Sequence, residues 1–236
     1  MDWKVISRRN LLLTLPASAA ASRFEANDSR AFRTPSGALP PETSWAFENG
    51  VVKSRLDVPR QCDLWTAESF ADFDFTFDWK VAPGANSGVK YVVQTWEADR
   101  LPRPQGELVH ENSIGFEFQL IDDASPDANH GPSSCSGSLY GYLAPTERAA
   151  RPAGEWNTGR LKIQGGEVEH WLNGRRVLRY RLDLPQLNEA IAQRAGAGSV
   201  SARILAKRVR SRAPIALQHH QSEVWFRNLK VEPLEP

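Results

Sequence analysis

A carboxylate and an amide stand two residues apart in the run Gly115-Phe116-Glu117-Phe118-Gln119-Leu120-Ile121-Asp122-Asp123. Side by side, Glu117 and Gln119 present chemistry suited to binding a sugar or moving a proton. The run alternates, so its first half reads as a β-strand buried on one side. Phe116, Phe118 and Leu120 share the core face. Glu117 and Gln119 share the other, about 7 Å apart along the strand. The same alternation describes the wet face of any antiparallel sheet, so the surrounding segments must decide between the two.

Those segments are mostly short strands. Trp45-Ala46-Phe47-Glu48 and Val51-Val52 flank Asn49-Gly50, a strong hairpin signal. Asp63 to Thr66 reads as a short strand, and Phe73 to Lys80 alternates four aromatics with Asp74, Thr76, Asp78 and Lys80. A turn over Pro83–Gly88 leads into a strand from Val89 to Gln94, and a loop from Trp96 to Asn112 leads into the Glu117 strand. Ala124 to Gly137 is long and irregular, as functional or mobile loops are. Ser138 to Leu143 reads as a short strand. Arg160–Gln164 and Glu167–Leu172 form a hairpin about Gly165-Gly166, and Asn173-Gly174 turns the chain into Arg175–Leu182. Pro185–Ala195 is the one stretch with a helical pattern, and Ile215–His219 and Val224–Val231 close the chain as strands. Many short alternating strands with Gly-rich turns give an all-β fold of two packed antiparallel sheets, with a barrel as the other architecture.

Composition narrows the function. The 236 residues suit a single sandwich domain. A formal net charge of +1 gives no electrostatic footprint for nucleic acid. Eight Trp and ten Phe serve both as core and as platforms that stack on sugar rings; Trp156 and Trp171 read as core. Ser7-Arg8-Arg9-Asn10-Leu11-Leu12-Leu13 and the small residues Ala17 to Ala21 have the layout of a signal peptide. The order resembles a twin-arginine signal, which implies bacterial export to the periplasm or beyond, with cleavage near Ala19 to Ala21. No stretch approaches the 18 apolar residues of a membrane span. Cys62 and Cys135 would then meet an oxidising compartment, where a disulfide and two free thiols both remain open. Neither has metal-ligand spacing.

The ordered set Asn86-Ser87-Gly88-Val89-Lys90-Tyr91, Gly115 to Asp123, Ser138-Leu139-Tyr140, Pro152 to Thr158, Val168-Glu169-His170-Trp171-Leu172-Asn173-Gly174 and Val224 to Val231 resembles the 3-keto-disaccharide hydrolase domain family. The resemblance runs from about Trp45 to Leu234. It implies a jelly-roll sandwich of the concanavalin A-like lectin/glucanase type, with saccharide on the concave sheet. It also implies bacterial carbohydrate metabolism, acting on glycosides already oxidised to a ketone at C3. The organisation expected is a signal peptide over 1–25, a flexible leader over 26–42 and one domain over 43–236. One departure stands out: where the family usually has Leu-Gln-Asp-His-Gly, this chain has Leu217-Gln218-His219-His220-Gln221. If the family's Asp binds a metal or orients its neighbour, this member is altered in function.

Conventional glycosidases need two carboxylates about the scissile bond, and one is well placed here. A C3 ketone opens another route, because it acidifies the proton on C2. A base forms an enolate, the enolate expels the C1 substituent, and water adds back. On this reading Glu117 is base or metal ligand, His170 a proton shuttle, and Lys90 the group facing the enolate charge. Gln119, Tyr140 and Gln218 hold sugar hydroxyls, and His220 is a further ligand or acid. Each also has an ordinary structural reading, as a solvated strand residue, a packed histidine or a surface turn. No cofactor is called for with certainty, and a divalent metal stays open. A Ca²⁺ site at Asp122 and Asp123 stays open and would rest on only two carboxylates. The partners implied are a small saccharide and an upstream sugar 3-dehydrogenase. A non-catalytic carbohydrate-binding module of the same fold is the alternative, and a conventional β-glucanase ranks last.

Overall fold

The computed structural model describes residues 24–26, 28–94, 109–111, 114–196, 205 and 212–235. The signal-like segment therefore lies outside the described residues, save for Phe24 and Glu25.

Fifteen strands and one α-helix are described. In chain order the strands are β1 (Phe24–Glu25), β2 (Phe32–Arg33), β3 (Trp45–Glu48), β4 (Val51–Ser54), β5 (Arg60–Cys62), β6 (Leu64–Thr66), β7 (Phe73–Val81) and β8 (Asn86–Gln94). They continue with β9 (Val109–Glu111), β10 (Ile114–Ile121), β11 (Asn157–Gln164), β12 (Glu167–Leu172), β13 (Arg175–Arg181), β14 (Ala216–Leu217) and β15 (Val224–Pro233). The helix α1 spans Pro185–Ala195. The larger sheet runs β13-β12-β11-β7-β15-β4-β3, with β1 also paired to β15, and the smaller runs β10-β8-β14-β6-β2. Both are antiparallel; β5 and β9 form a separate parallel pair. The fold is thus the two-sheet jelly-roll sandwich that the strand pattern and the resemblance predict.

Alternation places the core. Along β7, Phe73, Phe75, Phe77, Trp79 and Val81 are buried while Asp74, Thr76, Asp78 and Lys80 alternate with them. Phe77 meets Phe118 of the facing sheet edge-on, with ring centroids 5.8 Å apart, a favourable aromatic geometry. The hairpin dipeptides Asn49-Gly50, Gly165-Gly166 and Asn173-Gly174 all carry positive φ at both residues. That is the backbone that a two-residue hairpin demands, and Asn and Gly enter it most easily.

Three segments differ from the sequence reading. Strand β8 begins at Asn86, because Asn86, Ser87 and Gly88 pair with Ile121, Leu120 and Gln119 rather than finishing a turn. Ser138 to Leu143 coils instead of forming a strand, with Leu139 bridging singly to Phe118 and to Leu143. Its amides and carbonyls still close the free edge of β10: Gln119 N–H donates to Ser138, Gly137 N–H to Gln119 and Tyr140 N–H to Glu117. Finally, Ser29–Pro41 is not without structure. Phe32 is buried in β2, Thr34 is buried just after it, and Phe24 packs edge-on against Phe32 and Phe70. The apolar residues within that polar, Pro-rich stretch have a core to join. Cys62 and Cys135 are both buried, and no disulfide links them.

Candidate active site

The outer face of the smaller sheet carries the candidate site. Antiparallel register sets Glu117 of β10 directly across from Lys90 of β8, and Gln119 across from Gly88. The alternating residues Phe116, Phe118, Val89 and Tyr91 turn inward and are fully buried. Lys90, only 6% exposed, runs on to donate from Nζ to Asp63 Oδ2 at 3.0 Å. Asp63 stands immediately before β6 and also accepts the main-chain N–H of His219 at Oδ1, 3.1 Å away. The result is a row of alternating charge across three neighbouring parts of the sheet: Glu117, Lys90, Asp63.

Gln218 completes the row. Its main chain is held by Gly88 and Ser87, and its side chain donates from Nε2 to Glu117 Oε2 at 3.0 Å. Gly88 makes the arrangement sterically open. A Cβ built there would stand 2.5 Å from Glu117 Oε1, so the carboxyl group lies over the glycine. Gln119 is fully buried and donates to Asn86 Oδ1 at 3.0 Å. Its Oε1 has no hydrogen-bond partner among the described residues.

Electrostatics follow from this packing. Burial is the largest influence on Glu117 and lifts its pKa to about 7, against the lowering pull of Lys90, Arg194 and Gln218; Asp63 adds a smaller push upward. Burial pulls the Lys90 ammonium down, but Asp63 and Glu117 together outweigh it and the net shift is upward. Lys90 therefore stays a cation. Glu117 sits near a neutral pKa, the value at which a carboxyl both takes and returns a proton at physiological pH.

The other residues singled out in the sequence are dispersed. Tyr140 is carried to the site by its main-chain bond to Glu117. His170 is not: it lies on β12 in the opposite sheet, fully buried, with its ring stacked on Phe118 at 4.4 Å. Burial lowers its pKa to about 4. The neutral ring donates from Nδ1 to the Gly137 carbonyl and accepts the Tyr91 hydroxyl at Nε2, both at 2.9 Å. The shuttle expected at this position would have to act through the thickness of a sheet. His220 is exposed, and no described hydrogen bond or ion pair joins its side chain to the row. His219, the departure from the family pattern, is buried edge-on against Trp45 at 5.4 Å. Burial is the main cause of its lowered pKa.

Two residues of the site escaped the sequence reading. Asp63 read only as the start of a strand, although a lysine in mid-sheet needs a counter-ion. Arg194, in the last turn of α1, holds its guanidinium carbon 4.8 Å from the Tyr140 ring centroid and 5.8 Å from that of Tyr142. The helical pattern gave no sign of it.

A metal was the other role considered for Glu117. Among the described residues no three His, Cys, Asp or Glu side chains converge, and the cation between Glu117 and Asp63 is the ammonium of Lys90. These residues do not fit a bound divalent cation.

Fold and site define a jelly-roll sandwich with a near-neutral carboxyl, Glu117, on its smaller sheet. Residues 20–232 match the model of the 3-keto-alpha-glucoside-1,2-lyase-like domain, and the chain belongs to that family. A 3-keto-disaccharide hydrolase from Bacteroides thetaiotaomicron is 29% identical over 210 residues, covering 82% of this chain and 71% of the relative. A solved structure of a candidate glycosyl hydrolase from Parabacteroides distasonis superposes with a TM-score of 0.68 at 24% identity, covering 89% of this chain and 91% of the other. A Bacillus subtilis protein of galectin-like fold gives a TM-score of 0.53 at 14% identity, with 89% and 94% covered. These two likenesses concern the fold.

Proposed function

We propose that this protein cleaves the glycosidic bond of 3-keto-glycosides by removing the C2 proton, eliminating the C1 substituent and hydrating the product. The observation that carries the reading is the Glu117 carboxyl, held at about 7 beside the Lys90–Asp63 pair. A conventional glycosidase needs two carboxyl groups free to act. Asp63 is fully buried and bonded to Lys90 and to the His219 amide, so it is not free to serve as the second. One base is what the ketone route requires. Family membership and the 3-keto-disaccharide hydrolase relative support the same substrate class.

In this scheme Glu117 takes the proton from C2 of the keto sugar. Gln218 orients the carboxylate, and Lys90 limits how far burial raises its pKa. Tyr140 borders the sugar, and Gln119 stiffens the floor. Water then adds at C1 and a proton returns to C2, so the net change is hydrolysis. The twin-arginine-like leader supports action after export, on sugars that a separate dehydrogenase has oxidised.

The test is incubation of the purified protein with a 3-keto-disaccharide and with its unoxidised parent. Release from the keto substrate alone, with deuterium entering at C2 in D₂O, is the expected result. Release from the parent would move the assignment to a conventional glycosidase, and saturable binding without release to a carbohydrate-binding module.

A further inference from the structure

An enolate forming at O3 needs a donor, and the geometry removes the residue first expected to supply it. Lys90 is buried, bonded to Asp63 and set across from Glu117 in the sheet. A cation fixed in that pair cannot also approach a substrate oxygen above the carboxyl.

Arg194 can. It comes from the C-terminal turn of α1 and is exposed. Its guanidinium lies over Tyr140 and Tyr142 and directly against Gly141, where any Cβ would collide with it. Gly141 has φ of +74°, so the turn and the space for the arginine are set by one residue. Stacking on aromatic rings orders a planar guanidinium without consuming its N–H donors. No hydrogen bond to another described residue occupies them. Tyr140 is tied through its amide to the Glu117 carbonyl, and the arginine's charge is felt at the Glu117 carboxyl. Among the described residues, a cation with open donors therefore rests on the Tyr140 and Tyr142 rings, close enough for its charge to act on the proposed base.

We propose that Arg194 is the electrophilic catalyst of this site, donating to O3 of the keto sugar as the enolate forms. The inference rests on the reading of the site as one that cleaves 3-keto-glycosides. Glu117 accepts the C2 proton; the C2–H electron pair becomes the C2–C3 double bond, and the carbonyl π pair moves to O3, where Arg194 meets it. When the carbonyl reforms, the C1–C2 double bond appears and the C1 oxygen leaves with its bonding pair and takes up a proton. No oxidant or reductant is needed. Preorganised donors aimed at a developing oxyanion are commonly worth about 10²–10³ in rate.

The experiment follows C2–H exchange and product release from a 3-keto-disaccharide in D₂O for the wild type, Arg194→Gln and Arg194→Lys, with thermal unfolding as a check on the fold. Arg194→Gln is expected to lose about 10²–10³-fold in both exchange and kcat, with little change in KM. Arg194→Lys should recover part of the loss, since it restores charge without the planar stack. Undiminished exchange in Arg194→Gln, or a loss confined to KM, would overturn the assignment while leaving the proposed function standing. Absence of exchange and cleavage in the wild type would overturn both.

Discussion

The strands β8 and β10 carry two polar clusters back to back. On the outer face are Glu117, Lys90 and, beyond them, Asp63 and Gln218; on the inner side Tyr91 meets His170 of β12 and Tyr180 of β13 in the facing sheet. The inner cluster is closed. Tyr180 donates to the Tyr91 oxygen at 2.6 Å, Tyr91 donates to His170, and His170 donates to the Gly137 carbonyl. Burial favours the neutral form of both Tyr91 and His170, so the chain of bonds needs no charge. The outer cluster is built from charges, and one of them, on Glu117, is balanced near neutrality. Residues adjacent in sequence, Lys90 beside Tyr91 and Glu117 beside Phe118, are thus assigned to chemistry or to structure by the alternation of the strand alone.

The sharpest break in the comparison is Glu117→Gln. Turnover of a 3-keto-glycoside should fall by about 10³-fold or more, as removal of a general base can. In the wild type, kcat/KM should rise with pH and level off above about 7. Stability should move the other way. A carboxyl whose folded pKa is raised stabilises the fold below its ordinary value near 4.5, and that contribution is lost as pH climbs through about 7. Glu117→Gln, which cannot ionise, should therefore melt above the wild type by a margin that grows from pH 5 to pH 8. A margin independent of pH would show that the carboxyl is not strained by burial.

Next in size is the pair beneath it. Asp63→Asn takes the carboxylate from the buried Lys90, and Lys90→Met takes the ammonium from Asp63 and leaves it the His219 amide. Each should cost about 3–5 kcal/mol in denaturant unfolding. The double variant Asp63→Leu with Lys90→Met should cost less than the two single changes added together, because neither charge of the pair outlives the other. Strict additivity would mean that the two groups do not depend on one another.

The inner cluster should answer to acid alone. His170 has a folded pKa of about 4, below the ordinary 6.5. Its contribution to stability is complete above 6.5 and is lost as pH falls toward 4, on the order of 3 kcal/mol for a ring so fully buried. His170→Gln should flatten that acid limb, measured by urea unfolding from pH 7 to pH 4. An unchanged limb would point to the carboxylates instead.

How far the sequence could carry this distinction depends on the residue. Strict alternation made β7 and β10 legible, and Asn-Gly or Gly-Gly pairs made three hairpins legible, because each is a local rule. The lysine and glutamate also shared a readable pattern. What no local rule contains is which sheet a strand joins. His170 alternates on β12 much as Glu117 does on β10, but it belongs to the other layer and faces inward. Asp63 and Arg194 reach the site from outside the alternating pairs, one across β14 and one from α1. Their roles arise only from tertiary register.

Gly88→Ala gives the smallest and most discriminating effect. Gly88 lies in regular strand, so alanine suits its backbone, but the added methyl group meets the Glu117 side chain along its length, with Oε1 at 2.5 Å, Cγ at 2.6 Å and Cδ at 2.7 Å. Stability should fall by about 1–3 kcal/mol, the ordinary cost of adding a methyl group to a filled site. The carboxyl must still shift, and with it the bond from Gln218. A displacement of that size at a reacting group costs about tenfold or more in rate. Activity should therefore fall by about that factor in a protein that still folds. Full activity in Gly88→Ala would mean that Glu117 works from a position other than the one it occupies over Gly88, and the outer cluster would then be structural, as the inner one is.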